Sequence, residues 1–176
     1  LTVWDVFSHT DGKTFDGHTG DIACDSYHRF EDDLQALITL GVKHYRFGIG
    51  WTRIFSDGRT LNERGFAYYD KVVDLLLQNG ITPWITLFHW DTPQALEDEG
   101  GWQNRETAVL LAKFAGAVAA HFRTRVSHYF TINEPQCFIG LGYEAGWHAP
   151  GKTLSGEPLL GCWHNAMLAH GMMVQA

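Results

Sequence analysis

Glu134 lies in Thr131-Ile132-Asn133-Glu134-Pro135, where a short β-rich run ends in an amide followed by a carboxylate. An acid at the carboxyl end of a buried strand is partly desolvated, which raises its pKa and suits it to act as a general acid. Pro135 has no backbone N–H and holds Glu134 to an extended or turn conformation, so the strand should stop there with the carboxyl aimed over its end. A solvated glutamate at a strand end is the alternative reading of the same position. Asn133 offers both an acceptor and a donor, and a sugar hydroxyl needs both; as a plain turn amide it would need neither. His89 and Trp90 close a second apolar run and add a ring nitrogen and a flat apolar face. A pyranose presents their complement, hydroxyls at its rim and C–H groups on its face. Taken singly, His89 reads equally as a structural histidine and Trp90 as a core residue.

Arg46 sits inside a third run, Val42 to Ile49, with Trp51 just beyond it. A buried guanidinium is costly without an anionic partner, so a carboxylate should face it. Retaining glycosidases work with two carboxyls about 5–5.5 Å apart, an acid/base and a nucleophile, and a nearby cation keeps the nucleophile ionised. A structural aspartate is the plainer partner. Other chemistries lack their residues. There is no H-E-x-x-H, and His164 and His170 are too far out of phase to share a helix face for a metal. No serine sits in G-x-S-x-G, and no G-x-G-x-x-G or P-loop opens a helix. No metal and no cofactor is therefore required. The acidic stretch Glu97, Asp98, Glu99 reads as a solvated loop.

The elements that must position these groups are legible as alternating periods. Phe30, Leu34, Leu37 and Ile38 recur at helical spacing from Tyr27 to Leu40, with Gly41 as a stop. Val42 to Ile49 then reads as a strand. A second helix opens at Asn62 and runs through Phe66, Tyr69, Val73 and Leu76 to Gly80, followed by a strand from Ile81 to Phe88. A third helix starts from an Asn104 N-cap and reaches about Arg123, followed by a strand over Tyr129 to Ile132. A last helix spans about Leu160 to Val174. Short apolar strands alternating with long amphipathic helices imply an α/β fold with a parallel sheet, doubly wound or closed into a barrel. The polar and aromatic candidates all follow strands, which in a parallel barrel is the catalytic face.

Composition bounds the rest. Thirteen Lys and Arg against 20 Asp and Glu give a net charge of −7, which argues against nucleic acid as a partner. With 45% apolar residues the chain is globular, and its 176 residues fit one domain or part of one. Cys24, Cys137 and Cys162 are odd in number and widely spaced, which fits a reducing, cytoplasmic setting. No run approaches the roughly 20 apolar residues of a membrane span. The chain starts at Leu1 and stops within a helical pattern, so both ends read as cut.

These motifs, taken in order, resemble the retaining β-glucosidases of glycoside hydrolase family 1. The resemblance runs nearly end to end, through HYRFGIGW (His44 to Trp51), TLFHWDTP (Thr86 to Pro93), TINEP (Thr131 to Pro135), HAPG (His148 to Gly151) and HNAMLAHG (His164 to Gly171). It implies a (β/α)8 TIM barrel of which this chain encodes roughly the first half, as a single incomplete domain over residues 1–176. It also implies Glu134 as acid/base, Arg46 beside the nucleophile, and Asn133, His89, Trp90 and Trp51 on the sugar. Cys137, Leu141, Tyr143 and Trp147 are the candidates for the aglycone side. The family's first strand and its sugar-binding glutamine have no counterpart here, nor does its Thr-Glu-Asn-Gly nucleophile motif. Glycines replace its common serines at Gly48 and Gly50, and Ser26 stands where a histidine is frequent. The implied activity is hydrolysis of β-glucosides and cello-oligosaccharides, with 6-phospho-β-glycosidase, β-galactosidase or β-fucosidase as alternatives. A non-catalytic carbohydrate-binding or scaffold fragment is the alternative of another class. The isolated chain should be inactive because the nucleophile is not encoded in it, and it should pair with a complementary C-terminal half or with itself because a half-barrel exposes strand edges and apolar surface.

Overall fold

The computed structural model describes residues 1–176. In chain order the helices and strands are α1 (Val3–Ser8), α2 (Ser26–Thr39), β1 (His44–Gly48), α3 (Trp51–Ile54), α4 (Phe66–Gln78), β2 (Thr82–Phe88), α5 (Gln94–Asp98), α6 (Arg105–Phe122), β3 (Tyr129–Ile132), α7 (Pro135–Ile139) and α8 (Gly156–Gln175). The three strands form one parallel sheet in sequential order, with His44 opposite Thr82 and Phe88 opposite Ile132. Each strand leads to a long helix, α4, α6 or α8, that covers the same side of the sheet, the repeating βα unit expected from the periodicity. No helix is long and apolar enough to cross a membrane.

Local chemistry explains the boundaries. Asn104 caps α6 by accepting from the Glu106 N–H at 3.0 Å, as its position in the sequence indicates. Asn62 does not cap α4. The chain first makes a tight turn at Glu63–Gly65, and the Asn62 side chain donates instead to the Arg53 carbonyl at 3.0 Å. Helix α1 lies outside the sequence-based elements. Its signal is a capping box, in which Thr2 Oγ1 accepts from Asp5 N–H while the Asp5 carboxylate accepts from Thr2 N–H at 2.6 Å. Backbone bonds from Val3 N to Thr92 O (2.9 Å) and from Gln94 N to Leu1 O (3.0 Å) then lay α1 across the chain that leaves β2.

The two faces of the sheet differ. On the helix side, Ile85 and Leu87 pack with Val73 of α4, Phe114 and Val118 of α6, and Ala166 and Ala169 of α8 in the main core. On the other side, Arg46 spans to Thr86 and lies over Phe130, while Trp84 packs on His128 and Phe130. Alternation along β1 shows the difference directly: Tyr45 and Phe47 are half-buried, and His44, Arg46 and Gly48 are exposed.

A charged bridge joins α4 to α6. Arg125 donates to Asp70 at 2.5 Å and to Asp74 at 3.0 Å, and His121 lies 2.7 Å from Asp70 with its ring stacked on Phe66. Burial alone would push the Asp70 carboxyl up, but the bonds from His121 and Arg125 outweigh it and hold the carboxyl below the usual range. A folded-state pKa below the unfolded value stabilises the fold above about pH 4 and is lost as pH falls through the folded value. Asp70→Asn should therefore lower stability by about 0.5–1 kcal/mol at pH 7, the size of a partly exposed pair. In urea unfolding the gap from the unsubstituted protein should close as the pH is brought below about 4.

Candidate active site

Asn133 is the junction of the three strand ends. It is 9% exposed, and its N–H, carbonyl and side-chain oxygen each meet a different neighbour, which leaves the side-chain amide N–H groups uncommitted. Its N–H donates to Phe88 O at 2.9 Å, its carbonyl accepts from Trp90 Nε1 at 2.7 Å, and its Oδ1 accepts from the Arg46 guanidinium at 2.6 Å. Arg46 Nε donates in turn to Thr86 Oγ1 at 2.7 Å, and the guanidinium lies 4.2 Å over the Phe130 ring. Within this chain Arg46 is met by an amide, a hydroxyl and an aromatic face, and no carboxylate of these residues pairs with it. Arg46 is exposed, so its guanidinium keeps access to solvent beyond these contacts.

His89 is exposed, with its ring 5.2 Å from that of Trp90. Burial depresses its pKa, the Arg46 charge adds to that, and Glu134 opposes both. Asp91 accepts from the Trp51 N–H at 2.7 Å, and burial pushes its carboxyl up against that bond. The His148 ring lies 5.9 Å from Trp90 and 5.5 Å from Trp4, so α1 and the segment after α7 meet behind the Trp90 indole. Trp4 and His148 were not singled out from the sequence as site residues. The capping box ahead of Trp4 was the available signal.

Glu134 differs from expectation in two respects. Its side chain is exposed, so these residues do not supply the desolvation that a strand-end acid should meet. Its backbone is left-handed (φ 42°, ψ 70°), not the extended form that a following proline favours. Trp90 is left-handed as well, at φ 75°. Non-glycine residues held there cost of order 1–3 kcal/mol each and cluster at functional sites. In both, the bend occurs just after a strand and turns the next side chains across its end.

Other candidates sort by exposure. Trp51 is 0% exposed, with its ring against Phe88 and Phe114, so it backs the strand ends and lines no open surface. Tyr143 is 1% exposed and turned inward to Glu97, which removes it from the aglycone candidates. Its hydroxyl pKa is raised, by burial first and by Glu97 second. Cys137 directs its thiol to Glu134 Oε2 at 3.5 Å, Leu141 is half-buried, and Trp147 is 75% exposed. Glu97 is not part of a solvated loop: it is buried at the end of α5, because Tyr143 and Lys152 both pair with its carboxylate.

The profile of Glycosyl hydrolase family 1 matches residues 1–176. Beta-glucosidase A of Acetivibrio thermocellus is 46% identical over 176 residues, which cover 99% of this chain and 39% of that protein. The bifunctional beta-D-glucosidase/beta-D-fucosidase of Bifidobacterium breve is 48% identical over 182 residues, again with 99% and 39% covered. The structure of the beta-glucosidase from Thermotoga maritima in complex with glucoimidazole superposes with a TM-score of 0.96 at 40% identity, over 99% of this chain and 40% of that one. The chain thus spans about two fifths of the length of the relatives it matches, and its βα units are part of a (β/α)8 TIM barrel.

The left-handed backbone at position 134 is open to direct measurement. Glycine adopts φ > 0 freely, whereas alanine bears the Cβ clash, so Glu134→Gly should be about 1 kcal/mol more stable than Glu134→Ala in urea unfolding. Equal stability of the two variants would show an unstrained turn.

Proposed function

Because the chain belongs to glycosyl hydrolase family 1, we propose that it supplies the acid/base half of a retaining β-glucosidase acting on terminal β-D-glucosyl residues of β-glucosides and cello-oligosaccharides. The observation that supports this reading is the Asn133 junction: the Trp90 indole reaches the carbonyl of the residue before Glu134, the His89 ring lies 5.2 Å from that of Trp90 and feels the Glu134 charge, and Trp90 and Glu134 both have left-handed backbones just past a strand. In this reading Glu134 protonates the glycosidic oxygen while a carboxylate from outside this chain attacks the anomeric carbon. The bond to the leaving group breaks and a glycosyl-enzyme forms. Glu134 then takes a proton from water, whose oxygen displaces the enzyme carboxylate with net retention. In the same reading Arg46, which pairs with no carboxylate of this chain, holds that nucleophile ionised. Asn133 and His89 bind hydroxyls, and Trp90 faces the ring. Cys137, Leu141 and Trp147 remain for the leaving-group side.

The half-site has a structural counterpart in exposed apolar surface. Phe130 on β3 and Leu160, Met167 and Val174 on α8 are exposed, and the last three recur every seven residues along one helix face. They support a complementary C-terminal half as the partner of this segment, with self-association as the alternative for the chain alone and no hydrolysis in either isolated form. Three free thiols support a cytoplasmic setting. β-Fucosidase activity is the second reading, favoured by the Bifidobacterium breve relative.

A chimera tests this directly: residues 1–176 replace the matching segment of the Thermotoga maritima beta-glucosidase, which restores the remainder of the barrel. It should hydrolyse aryl and alkyl β-glucosides with retention. Glu134→Gln in that chimera should lower kcat/KM for alkyl glucosides by about 10²–10⁴ and for activated aryl glucosides far less, because only poor leaving groups need the proton in the glycosylation step that kcat/KM reads. Equal slowing of both would remove Glu134 from the acid role, and sugar binding without turnover would favour a non-catalytic carbohydrate-binding module.

A further inference from the structure

Glu97 carries no role in the chemistry above, yet the residue is only 6% exposed and its carboxylate is shared by two side chains of one loop. Tyr143 donates its hydroxyl hydrogen to Oε2, and the Lys152 ammonium pairs with Oε1. Burying a carboxylate is tolerated when it is both paired and hydrogen-bonded, and here one loop provides both partners. A Cβ at Gly101 would lie 2.1 Å from Glu97 Oε2, so glycine is what admits the carboxylate at that point.

The loop, residues 140–154, is closed on its own backbone. Trp147 and His148 N–H donate to Leu141 O at 2.8 and 3.0 Å, Lys152 N–H to Gly142 O at 2.9 Å, and Leu154 N–H to Tyr143 O at 2.7 Å. Its side-chain hydrogen bonds and ion pairs to the rest of the chain run only through Tyr143 and Lys152, to Glu97 and to the Trp102 N–H, which donates to the Tyr143 hydroxyl at 3.3 Å. Between those two anchors stands Trp147, 75% exposed, and its neighbour His148 abuts the Trp90 ring at 5.9 Å. The same loop follows Glu134 in the chain.

We propose that Glu97 is a positioning residue that clasps loop 140–154 at both anchors, so that Trp147, next to the His148 that packs on Trp90, stands as a fixed wall and favours long saccharide leaving groups over small aryl ones. The substrate preference rests on the β-glucosidase reading; the clasp itself does not. In the chimera, Glu97→Ala should raise KM for a cello-oligosaccharide about tenfold, the loss of one or two charge-assisted bonds. KM and kcat for a small aryl glucoside should stay within about twofold, as expected when no reacting group is touched. Glu97→Gln keeps an acceptor for Tyr143 and should recover most of the loss. A purely structural role would lower Tm and change both substrates alike, which overturns the proposal. If Glu97→Ala does not fold, Tyr143→Phe reads the same split.

Limited proteolysis after Lys152 gives a readout independent of turnover. Cleavage should be faster in Glu97→Ala and Tyr143→Phe than in the unsubstituted chimera. An unchanged rate would overturn the clasp whether or not glucosides are hydrolysed. An opened loop in a chimera without hydrolysis would instead refute the β-glucosidase reading and leave the clasp standing.

Discussion

The three hydrogen bonds at Asn133 are the constraint on which the site depends. Its N–H, carbonyl and side-chain oxygen reach Phe88, Trp90 and Arg46, so this one residue just past β3 is tied to β1 and to the end of β2. Each such bond contributes about 0.5–1.5 kcal/mol net, and a buried polar group left unpaired costs about 1–3 kcal/mol. Three together are of the same size as the strain of two left-handed residues, of order 1–3 kcal/mol each. The junction can therefore offset the backbone conformations that turn Trp90 and Glu134 across the strand ends.

That balance accounts for the division of labour between buried and exposed residues. Trp51, Phe88, Trp102 and Phe138 form an enclosed aromatic bed beneath the strand ends, with Phe88 edge-on to Trp51 and 5.3 Å from Trp102. Upon it stand groups that remain accessible: the His89 ring, the Trp90 face, the Arg46 guanidinium and the Glu134 carboxyl. Packing fixes the bed and hydrogen bonds fix the accessible layer, so rigidity comes from below while the chemistry stays open. The aromatic richness of the composition serves both layers.

Much of this was legible in the sequence, for a physical reason. The strand Tyr129–Ile132 and helices α2, α6 and α8 come from periodic apolar patterns that local sequence carries in full. The positions of Asn133, Glu134, His89 and Trp90 at strand ends follow from the same patterns. What was not legible depends on which way a side chain turns after a strand ends. Trp51 and Tyr143 read as wall residues but turn inward, and Glu97 reads as solvated but is buried by partners more than 40 residues away. Helix α1 was missed because six residues are too few for a periodic signal, although its capping box was in view.

The central claim is that Glu134 is the proton donor and acceptor of a double displacement whose nucleophile lies outside this chain. Azide trapping tests it most directly, in the Thermotoga maritima chimera carrying Glu134→Ala and given an activated aryl β-glucoside. With the acid/base removed, a small anion can enter the vacated space and attack the accumulated glycosyl-enzyme, so the product should be the β-glucosyl azide, with turnover restored. Formation of the α-azide would make Glu134 the nucleophile, and failure of azide to restore turnover would place the acid/base at another residue.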